Sequence, residues 1–424
     1  MERNLSSTII DVIKINKDAY VLIVPNKLIF LFDATEDDVR AIIEEEQNNI
    51  YDLEAQSCVD ASFEAELTLI PTLDCNLRCI YCYARGGDDK IYMSKEVAKA
   101  AIDAIRKISD AQVLSLHFAG GGEPFVNFPV MDFAVQYARQ LFRQVNVAVV
   151  TNGIFGREQL EWIVENNVFV RISCDGVAHD YQRPFPDGSP SRTIVEANIK
   201  NLVNLNVEFM VQWVITSINV QSMVESVDYF ADLGVKILKP EPAHISETCR
   251  GSKELVPSPE EFAHNFIEML KHIVAKDLSL KIDTSYLSRP TVGYYCGVYG
   301  ANLMITPNGD ITACIEITRR SEPLSDVMLY GRLLVDQAKF VFNDTALAKL
   351  RLLHFANYST CKQCPLRLIC KGGCPMQNIW ECGFSLTRSK YTCQLAKLII
   401  PRVFSLIVED LRYSEIVFDD FDVC

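Results

Sequence analysis

The 424-residue chain lacks the features that would mark it as a membrane protein, a secreted protein or a nucleic-acid-binding protein. No uninterrupted apolar run is long enough to cross a bilayer. The N-terminal Met-Glu-Arg-Asn-Leu lacks the basic region and apolar run of a secretory signal, which predicts a cytoplasmic location. A net charge of -14 leaves no basic stripe for a phosphate backbone, so binding to nucleic acid is not expected.

Cysteine, by contrast, is abundant, with 15 residues. Because the cytoplasm is reducing, disulfides are not expected there, and thiols at tight spacing indicate metal binding. Most of these cysteines fall into two groups, one near residue 80 and one in the C-terminal third. With 49% hydrophobic and 23% charged residues, the chain has the composition of a globular protein of roughly two or three domains, long enough to be an enzyme.

Residues 1–62 are predicted to form a small separate α+β unit. Two apolar runs, 19–24 and 28–32, flank a Pro-Asn-Lys turn and predict a β-hairpin, and an acidic stretch from 36 to about 49 predicts a helix. A polar segment through Cys58 is interpreted as a linker. The unit is a candidate for binding a peptide by strand addition, or for serving as a structural cap.

Residues 63–245 alternate short β-branched runs with amphipathic segments. Such alternation predicts βα units around a parallel sheet, an α/β fold with a partial (β/α)6 TIM-type barrel. The predicted strands are 66–71, 113–118, 145–150, 168–173, 208–215 and 235–239, and the predicted helices are 94–108, 130–143, 157–166, 191–205 and 221–233. In such folds functional residues collect at the C-terminal ends of the strands, so motifs that follow a strand carry most weight.

The remaining chain is predicted to be a bridging segment, a cysteine-rich domain and a tail. Residues 246–293 include a helix with Ser258 at its N-cap. Residues 294–395 open with a hairpin around the turn at 307–310 and then become rich in cysteine. Residues 396–424 are predicted to be a helix followed by an acidic segment, and they indicate no chemistry.

The first cysteine group, Cys75, Cys79 and Cys82, directly follows the first predicted barrel strand. Three thiolates on one short loop can bind three irons of a 4Fe-4S cluster and leave the fourth iron without a protein ligand. A structural zinc site is the alternative, but a closed zinc site needs four ligands, and no further cysteine or histidine lies close by in sequence. A cluster is therefore favoured over zinc.

Polar groups also follow the next predicted strands. Gly120-Gly121-Gly122-Glu123-Pro124 follows the second, where glycines let a ligand approach the backbone and a carboxylate suits an amino group; a tight turn is the alternative interpretation. Ser173-Cys174-Asp175 follows the fourth, where a hydroxyl and a carboxylate could bind a ribose. Cys174 is interpreted as a small packing residue rather than a ligand.

The second cysteine group contains seven thiols, enough for one four-thiolate site and one three-thiolate site. Such sites would hold two clusters or two zinc ions. In chain order the group consists of Cys296, Cys314, Cys361, Cys364, Cys370, Cys374 and Cys393.

The first group, a C-x3-C-x2-C loop with an aromatic residue before its last cysteine, resembles the radical S-adenosylmethionine (SAM) superfamily, and the Gly-Gly-Glu-Pro run supports that resemblance. The order of the second group resembles the SPASM domain, which ends many radical SAM enzymes that modify peptides and proteins. The anaerobic sulfatase-maturing enzymes are close relatives in this respect. The resemblance implies SAM, one catalytic and two auxiliary 4Fe-4S clusters, and a flavodoxin- or ferredoxin-type electron donor.

The same resemblance implies roles for individual residues. Cys75, Cys79 and Cys82 would hold the catalytic cluster. SAM would be bound by Gly121, Gly122, Glu123, Ser173, Asp175 and Arg183. The outer auxiliary cluster would be held by Cys361, Cys364, Cys370 and Cys393, and the inner one by Cys296, Cys314 and Cys374. The fourth inner ligand is left open between Cys249, a non-cysteine residue and none.

The expected function is maturation of a ribosomally made peptide by a thioether or carbon-linked crosslink. The alternative is an anaerobic sulfatase-maturing enzyme, which makes formylglycine, but those relatives carry an aspartate directly after the cysteine that ends the hairpin. Here Ile315 follows Cys314, and Glu316 is one place late. Glu316 and Glu241 are the candidates for a catalytic base. A further alternative, from another class, is a non-catalytic iron-sulfur or zinc protein that binds partners or transfers electrons.

Overall fold

The computed structural model describes residues 10–56, 64–244, 246–301 and 303–418. Its strands are β1 (Asp11–Lys14), β2 (Tyr20–Val24), β3 (Lys27–Leu31), β4 (Glu64–Leu69), β5 (Val113–Phe118), β6 (Gln144–Thr151), β7 (Phe169–Ser173), β8 (Phe209–Ile215), β9 (Ile237–Pro242), β10 (Lys281–Ile282), β11 (Met304–Ile305), β12 (Asp310–Thr312), β13 (Leu329–Leu334) and β14 (Lys339–Phe342).

The α-helices lie between and after these strands. They are α1 (Glu36–Gln56), α2 (Lys95–Ile108), α3 (Phe128–Leu141), α4 (Arg157–Glu165), α5 (His179–Gln182), α6 (Arg192–Asn204), α7 (Met223–Asp232), α8 (Pro259–Ala275), α9 (Ser325–Met328), α10 (Asp344–Arg351), α11 (Arg367–Cys370), α12 (Pro375–Cys382), α13 (Lys390–Glu409) and α14 (Arg412–Val417).

The centre of the molecule is the predicted partial barrel. Strands β4 to β9 are parallel neighbours in one sheet, and β10, from the bridging segment, adds a short parallel strand beside β9. Each strand buries alternate residues under the helices, as β5 does with Leu114, Leu116 and Phe118. The predictions of α/β class and of the strand and helix positions are confirmed, because a period of two and a period of 3.6 are properties of the local sequence.

The C-terminal region continues the barrel sheet instead of forming a separate one. β11 pairs in parallel with β4 and in antiparallel with β12, in the register Ile305↔Leu69 and Ile305↔Ile311. This confirms the predicted hairpin. β13 and β14, which were not predicted, complete the edge of the sheet. Ile315, directly after Cys314, lies 2.8 Å from where a Cβ at Gly120 would be, so the end of the hairpin lies near the C-terminal ends of β4 and β5.

The N-terminal unit is a three-stranded antiparallel sheet with α1, and it packs against the C-terminal region. The predicted hairpin is β2 and β3; the short strand β1 was not predicted. The Phe30 ring meets the edge of Phe404 on α13 at 5.5 Å, and Asp11 forms a 3.0 Å ion pair with Arg367. Helix α1 continues to Gln56, so most of the segment predicted to be a linker is helical instead, whereas Cys58 and the acidic segment 419–424 lie outside the described residues.

Helix α13 begins at Lys390, six residues before the predicted start at 396. Within the described ranges it is the one helix that is long and apolar enough to cross a membrane, and half of that stretch is buried inside the protein. Ile399, Val403 and Phe404 on this helix are fully buried in the core. Its apolar face is thus used for packing within the fold.

The junction between the N-terminal unit and α13 can be tested with two phenylalanines. Phe30 is fully buried, whereas Phe32 is 39% exposed. We expect Phe30→Ala to lower the free energy of unfolding by about 3–5 kcal/mol, because it removes a buried ring and leaves a cavity. Phe32→Ala is the matched control and should change stability by about 1 kcal/mol or less. Urea denaturation of both variants measures the difference; equal losses would contradict the packing described.

Candidate functional site

The three cysteines of the first group line one cavity at the C-terminal ends of the barrel strands. The cavity has a volume of about 320 Å³. The backbone N–H of Leu77 donates to Cys75 Sγ at 3.5 Å, and that of Gly86 donates to Cys82 Sγ at 3.4 Å. Backbone donors aimed at sulfur stabilise a thiolate. The loop thus presents its sulfurs together, on the face where the barrel collects its chemistry.

Arg78, a residue that the sequence did not single out, holds this loop in shape. Its Nη1 donates to the carbonyl oxygens of Cys75 and Leu77 at 2.8 and 2.9 Å, and its Nη2 donates to Gly87 O at 2.9 Å. A Cβ at Gly87 would lie 2.1 Å from Arg78 Nη1, so the glycine makes room for the guanidinium. The sequence could not have revealed this role, because a single arginine between two cysteines is not part of a recognisable pattern.

The glycine run after β5 lies directly against the cysteine loop. Gly122 N donates to Thr72 O, and Glu123 N donates to Asp74 O, both at 2.9 Å. A Cβ at Gly122 would lie 1.8 Å from Asp74 O, and Gly121 has a φ of +69°, which favours glycine. Both glycines are therefore needed for the approach of two backbone segments, and Gly121 and Gly122 also line the cavity.

Glu123 is buried at the wall of the cavity with its carboxylate held by neighbours. Oε1 accepts from Thr151 Oγ1 at 2.7 Å and from Phe125 N at 3.2 Å, and Oε2 accepts from Asn152 N at 2.7 Å. Burial raises the pKa of Glu123 to about 7, although the hydrogen bonds oppose that rise. Asn152 Nδ2 also lies 3.7 Å from Cys75 Sγ, which ties the end of β6 to the cysteine loop.

The end of β7 contributes Ser173 to the cavity lining, whereas Asp175 lies one layer deeper. The Asp175 carboxylate is fully buried and is not among the lining residues; it accepts from Tyr81 Oη at 2.5 Å and from Arg183 Nε at 2.9 Å. It thereby positions the aromatic residue of the cysteine motif and a cation. Cys174 is fully buried, in agreement with its interpretation as a packing residue.

Arg183 brings a positive charge to the cysteine loop. Its Nη1 lies 3.8 Å from Cys79 Sγ, and its guanidinium lies over the Tyr81 ring at 5.3 Å. Burial raises the pKa of the Cys79 thiol to about 11, and Arg183 opposes that rise. A guanidinium so placed stabilises negative charge on the sulfur.

These residues fit a 4Fe-4S cluster bound by Cys75, Cys79 and Cys82. The thiols share one cavity, two of them receive backbone hydrogen bonds and the third faces a guanidinium. A Cβ at Gly86 would reach 3.2 Å from Cys75 Cβ, so the glycine keeps this space open. Among the residues that the structure describes, no three metal-binding side chains converge closely enough for a single ion.

Arg388, another residue that the sequence did not single out, contacts two of the four outer cysteines of the second group. Arg388 Nη2 lies 3.0 Å from Cys370 Sγ, and Nη1 lies 3.9 Å from Cys361 Sγ. Burial raises the pKa of Cys370; Arg388 lowers it, and the nearby charges of Cys364 and Cys393 raise it further. The neighbours of Cys370 thus include Cys364, Cys393 and the guanidinium that also contacts Cys361, and these four thiols form a donor set that fits a cluster.

The inner group, Cys296, Cys314 and Cys374, also comes together. Burial raises the pKa of Cys314 well above its ordinary value, and the charges of Cys374 and Cys296 add to that rise. Cys249 Sγ accepts from Ser246 N at 3.2 Å, and the charges of Glu316 and Cys82 contribute to raising its pKa, after the larger effect of burial. The fourth ligand of this group remains a prediction.

The two candidate bases have different surroundings. Glu316 is buried beside the inner group, and Trp380 Nε1 donates a hydrogen bond to it at 2.7 Å. His244, which lines the cavity of the first cysteine group (hereafter the catalytic cavity), has its Nε2 3.6 Å from the Glu316 carboxylate. Burial would raise the pKa of Glu316, but His244 brings it below its usual value. Glu241 accepts two 2.7 Å hydrogen bonds from Ser285, and burial raises its pKa.

Comparison with known proteins agrees with this geometry. The family model for the radical SAM superfamily matches residues 69–230, from the end of β4 into α7. An uncharacterized protein of Methanocaldococcus jannaschii is 31% identical over 259 residues, which cover 58% of this chain and 84% of that protein. The sporulation killing factor maturation protein SkfB of Bacillus subtilis is 25% identical over 305 residues, 70% of each chain.

Two solved structures share the fold. The enzyme anSMEcpe, with bound AdoMet and the Cp18Cys peptide, has a TM-score of 0.65 and 19% identity over 82% of this chain and 98% of its own. SuiB of Streptococcus suis, bound to its precursor peptide SuiA, has a TM-score of 0.59 and 15% identity over 92% of this chain and 99% of its own.

The barrel and its three-cysteine loop define a protein class in which a cluster is held at the mouth of a partial TIM-type barrel. The chain belongs to the radical SAM superfamily, and its C-terminal region is rich in cysteine.

The contact between Gly122 and the cysteine loop can be tested directly. We expect Gly122→Ala to displace the loop, because the added methyl would lie 1.8 Å from Asp74 O, and to lower the iron content and visible absorbance of the reconstituted protein. Gly156→Ala is the control, since the nearest atom to its Cβ is the flexible end of Gln159 at 3.3 Å. Normal iron loading of Gly122→Ala would contradict the role of this contact.

Proposed function

We propose that the protein reductively cleaves SAM and uses the resulting radical to modify a ribosomally synthesised peptide, by a thioether or carbon-linked crosslink. The observation that carries this proposal is the convergence of Cys75, Cys79 and Cys82 with Glu123 and Arg183 on one cavity. The cavity is open at the strand ends, where both a cofactor and a substrate could enter.

The residues that line or support the cavity would have distinct roles. When bound, the cluster would supply the electron that cleaves SAM to a 5'-deoxyadenosyl radical. Glu123, held rigidly by Thr151 and Asn152, would accept hydrogen bonds from the SAM amino group, and Ser173 would face the ribose. Asp175 would act indirectly by fixing Arg183 beside Cys79.

A peptide substrate is supported by the relatives. SkfB is by name a maturation protein for the sporulation killing factor, and SuiB has been solved with a precursor peptide. The two auxiliary cysteine groups would hold two further 4Fe-4S clusters, which would take an electron from the substrate or bind it. Reduction of the catalytic cluster would come from a flavodoxin- or ferredoxin-type donor, which fits a cytoplasmic enzyme.

Formylglycine formation is the second candidate function, and the position of Glu316 supports it. This carboxylate lies 3.6 Å from His244, which lines the catalytic cavity, so a base is present near the substrate even though it is not directly after Cys314. The two candidates share the radical chemistry and differ in the product.

The radical chemistry can be tested without knowledge of the substrate. After anaerobic reconstitution and reduction with SAM present, we expect the wild type to form 5'-deoxyadenosine and Cys79→Ala to form none, because it loses one of three cluster ligands. Cys382→Ala, which removes a thiol outside both groups, should retain the activity. The measurement is chromatographic quantification of 5'-deoxyadenosine.

Failure of a cluster-loaded wild type to form 5'-deoxyadenosine would overturn this assignment. It would favour the non-catalytic alternative, in which the clusters serve electron transfer or partner binding.

The product can be tested by co-expression with a precursor peptide encoded near the gene. A crosslink should appear as a loss of two hydrogens, and formylglycine as conversion of a single cysteine or serine to an aldehyde. Mass spectrometry of the peptide distinguishes them, and Cys79→Ala is the control. An unmodified peptide from an enzyme that cleaves SAM would contradict that peptide as the substrate.

A further inference from the structure

A second cavity extends from the catalytic cavity into the interior of the barrel. It has a volume of about 390 Å³ and shares Tyr83, Val150, Gln212 and Val214 with the first cavity. On β4 to β9, the side chains that alternate with the helix-facing apolar residues point into this interior. Its polar lining consists of Thr68, His117, Arg171, Gln212, Lys239 and Glu241.

Arg171 is the charged group in this interior that lacks a partner. It lies in the middle of β7 between Val170 and Ile172, which are both buried under the helices. Its Nε is buried without a hydrogen-bond partner, and no carboxylate in the described ranges forms an ion pair with its guanidinium. Its guanidinium lies over the Phe169 ring at 6.0 Å, and its charge contributes to lowering the pKa of His117, after burial. Arg171 as a whole is only partly buried, but a buried Nε–H without an acceptor is costly, which indicates that a partner for this group is missing.

The other basic and acidic side chains that line this cavity are already matched. Lys239 Nζ lies 2.8 Å from Asp283 Oδ2, and Glu241 accepts hydrogen bonds from the N–H and the hydroxyl of Ser285. Burial is the largest cause of the lowered pKa of His117, so this residue adds no positive charge at neutral pH. Arg171 is therefore the centre to which an anion would bind.

The position of Arg171 on β7 sets the distance between such an anion and the catalytic cavity. Ser173, two residues further along β7, lines the catalytic cavity, and a strand rises about 3.3 Å per residue. The two levels are thus about 7 Å apart, and an extended peptide covers about 3.3–3.6 Å per residue. A carboxylate at Arg171 would place a residue one or two positions away in the catalytic cavity.

We propose that Arg171 binds a carboxylate of the substrate inside the barrel, so that the enzyme acts on residues within two positions of an acidic group. This inference rests on the proposed function, because it concerns the substrate of the same cavity. A carboxylate suits the planar guanidinium, whose N–H groups can bind both oxygens. The carboxylate would come from an Asp or Glu side chain or from the C-terminus of the peptide.

The preference for a substrate carboxylate would come from the barrel interior and not from the outer surface of the protein. The net charge of -14 disfavours acidic chains in solution, so the whole molecule does not attract them. The preference should therefore be confined to one position of the bound peptide.

The test uses randomised pentapeptides with acetylated N-termini and amidated C-termini. The anaerobically reconstituted enzyme is mixed with the library and SAM without reductant, and the retained peptides are identified by mass spectrometry after ultrafiltration. We expect about tenfold enrichment of Asp or Glu at one position, which corresponds to about 1.4 kcal/mol. A second library with free C-termini distinguishes the sources, since retention of free over amidated peptides would indicate the terminal carboxylate.

Three variants assign the selection to Arg171. Arg171→Met should abolish it, and Arg171→Lys should keep part of it, because the charge remains without the planar fork. Arg143→Met, which removes an exposed arginine, should leave it unchanged. If Arg171→Met fails to load its cluster, the acidic preference of Arg171→Lys is compared with that of the wild type, and a reduced preference in Arg171→Lys still assigns it to Arg171.

No acidic preference in either library, including the retention of no peptide at all, would overturn the inference. So would an undiminished preference in a folded Arg171→Met variant. Because no reductant is present, the selection does not depend on SAM cleavage. Loss of 5'-deoxyadenosine formation with acidic selection retained would overturn the proposed function alone, and the reverse result would overturn this inference alone.

Discussion

The close packing of two backbone segments, at the ends of β4 and β5, is the constraint on which the rest of the site depends. A Cβ at Gly122 would lie 1.8 Å from Asp74 O, and Glu123 N donates to the same oxygen. The cysteine loop and the turn that carries the carboxylate are thus locked together. The three thiols and Glu123 face one cavity because of this packing, before any cofactor is bound.

Strand β4 extends this arrangement to the C-terminal region. It pairs with β5 on one side and with β11 on the other, so a single strand positions both the catalytic loop and the hairpin that ends at Cys314. The inner cysteine group is therefore held near the catalytic cavity by sheet hydrogen bonds. His244 and Glu316 occupy the space between the two. A flexible domain linker would not keep that spacing constant.

Buried guanidinium groups recur wherever negative charge is needed. Arg183 approaches Cys79, and Arg388 approaches Cys361 and Cys370, so each cation faces a sulfur that becomes anionic when it binds metal. Arg171, in the barrel interior, has no such partner within the described residues. The first two guanidinium groups are buried beside a thiol, whereas the third is partly buried with an Nε–H that lacks an acceptor, which leads to the substrate carboxylate proposed for it.

The sequence by itself determined the barrel strands and helices and the grouping of the thiols, because periodicity and short spacing are local properties. Only the tertiary structure decided that Asp175 lies beneath the cavity and that Arg388 lies among the outer thiols. These placements depend on contacts between residues far apart in the chain, such as the 94 residues that separate Tyr81 from Asp175. Local patterns do not encode such contacts, since the packing of the whole sheet decides which distant side chains meet.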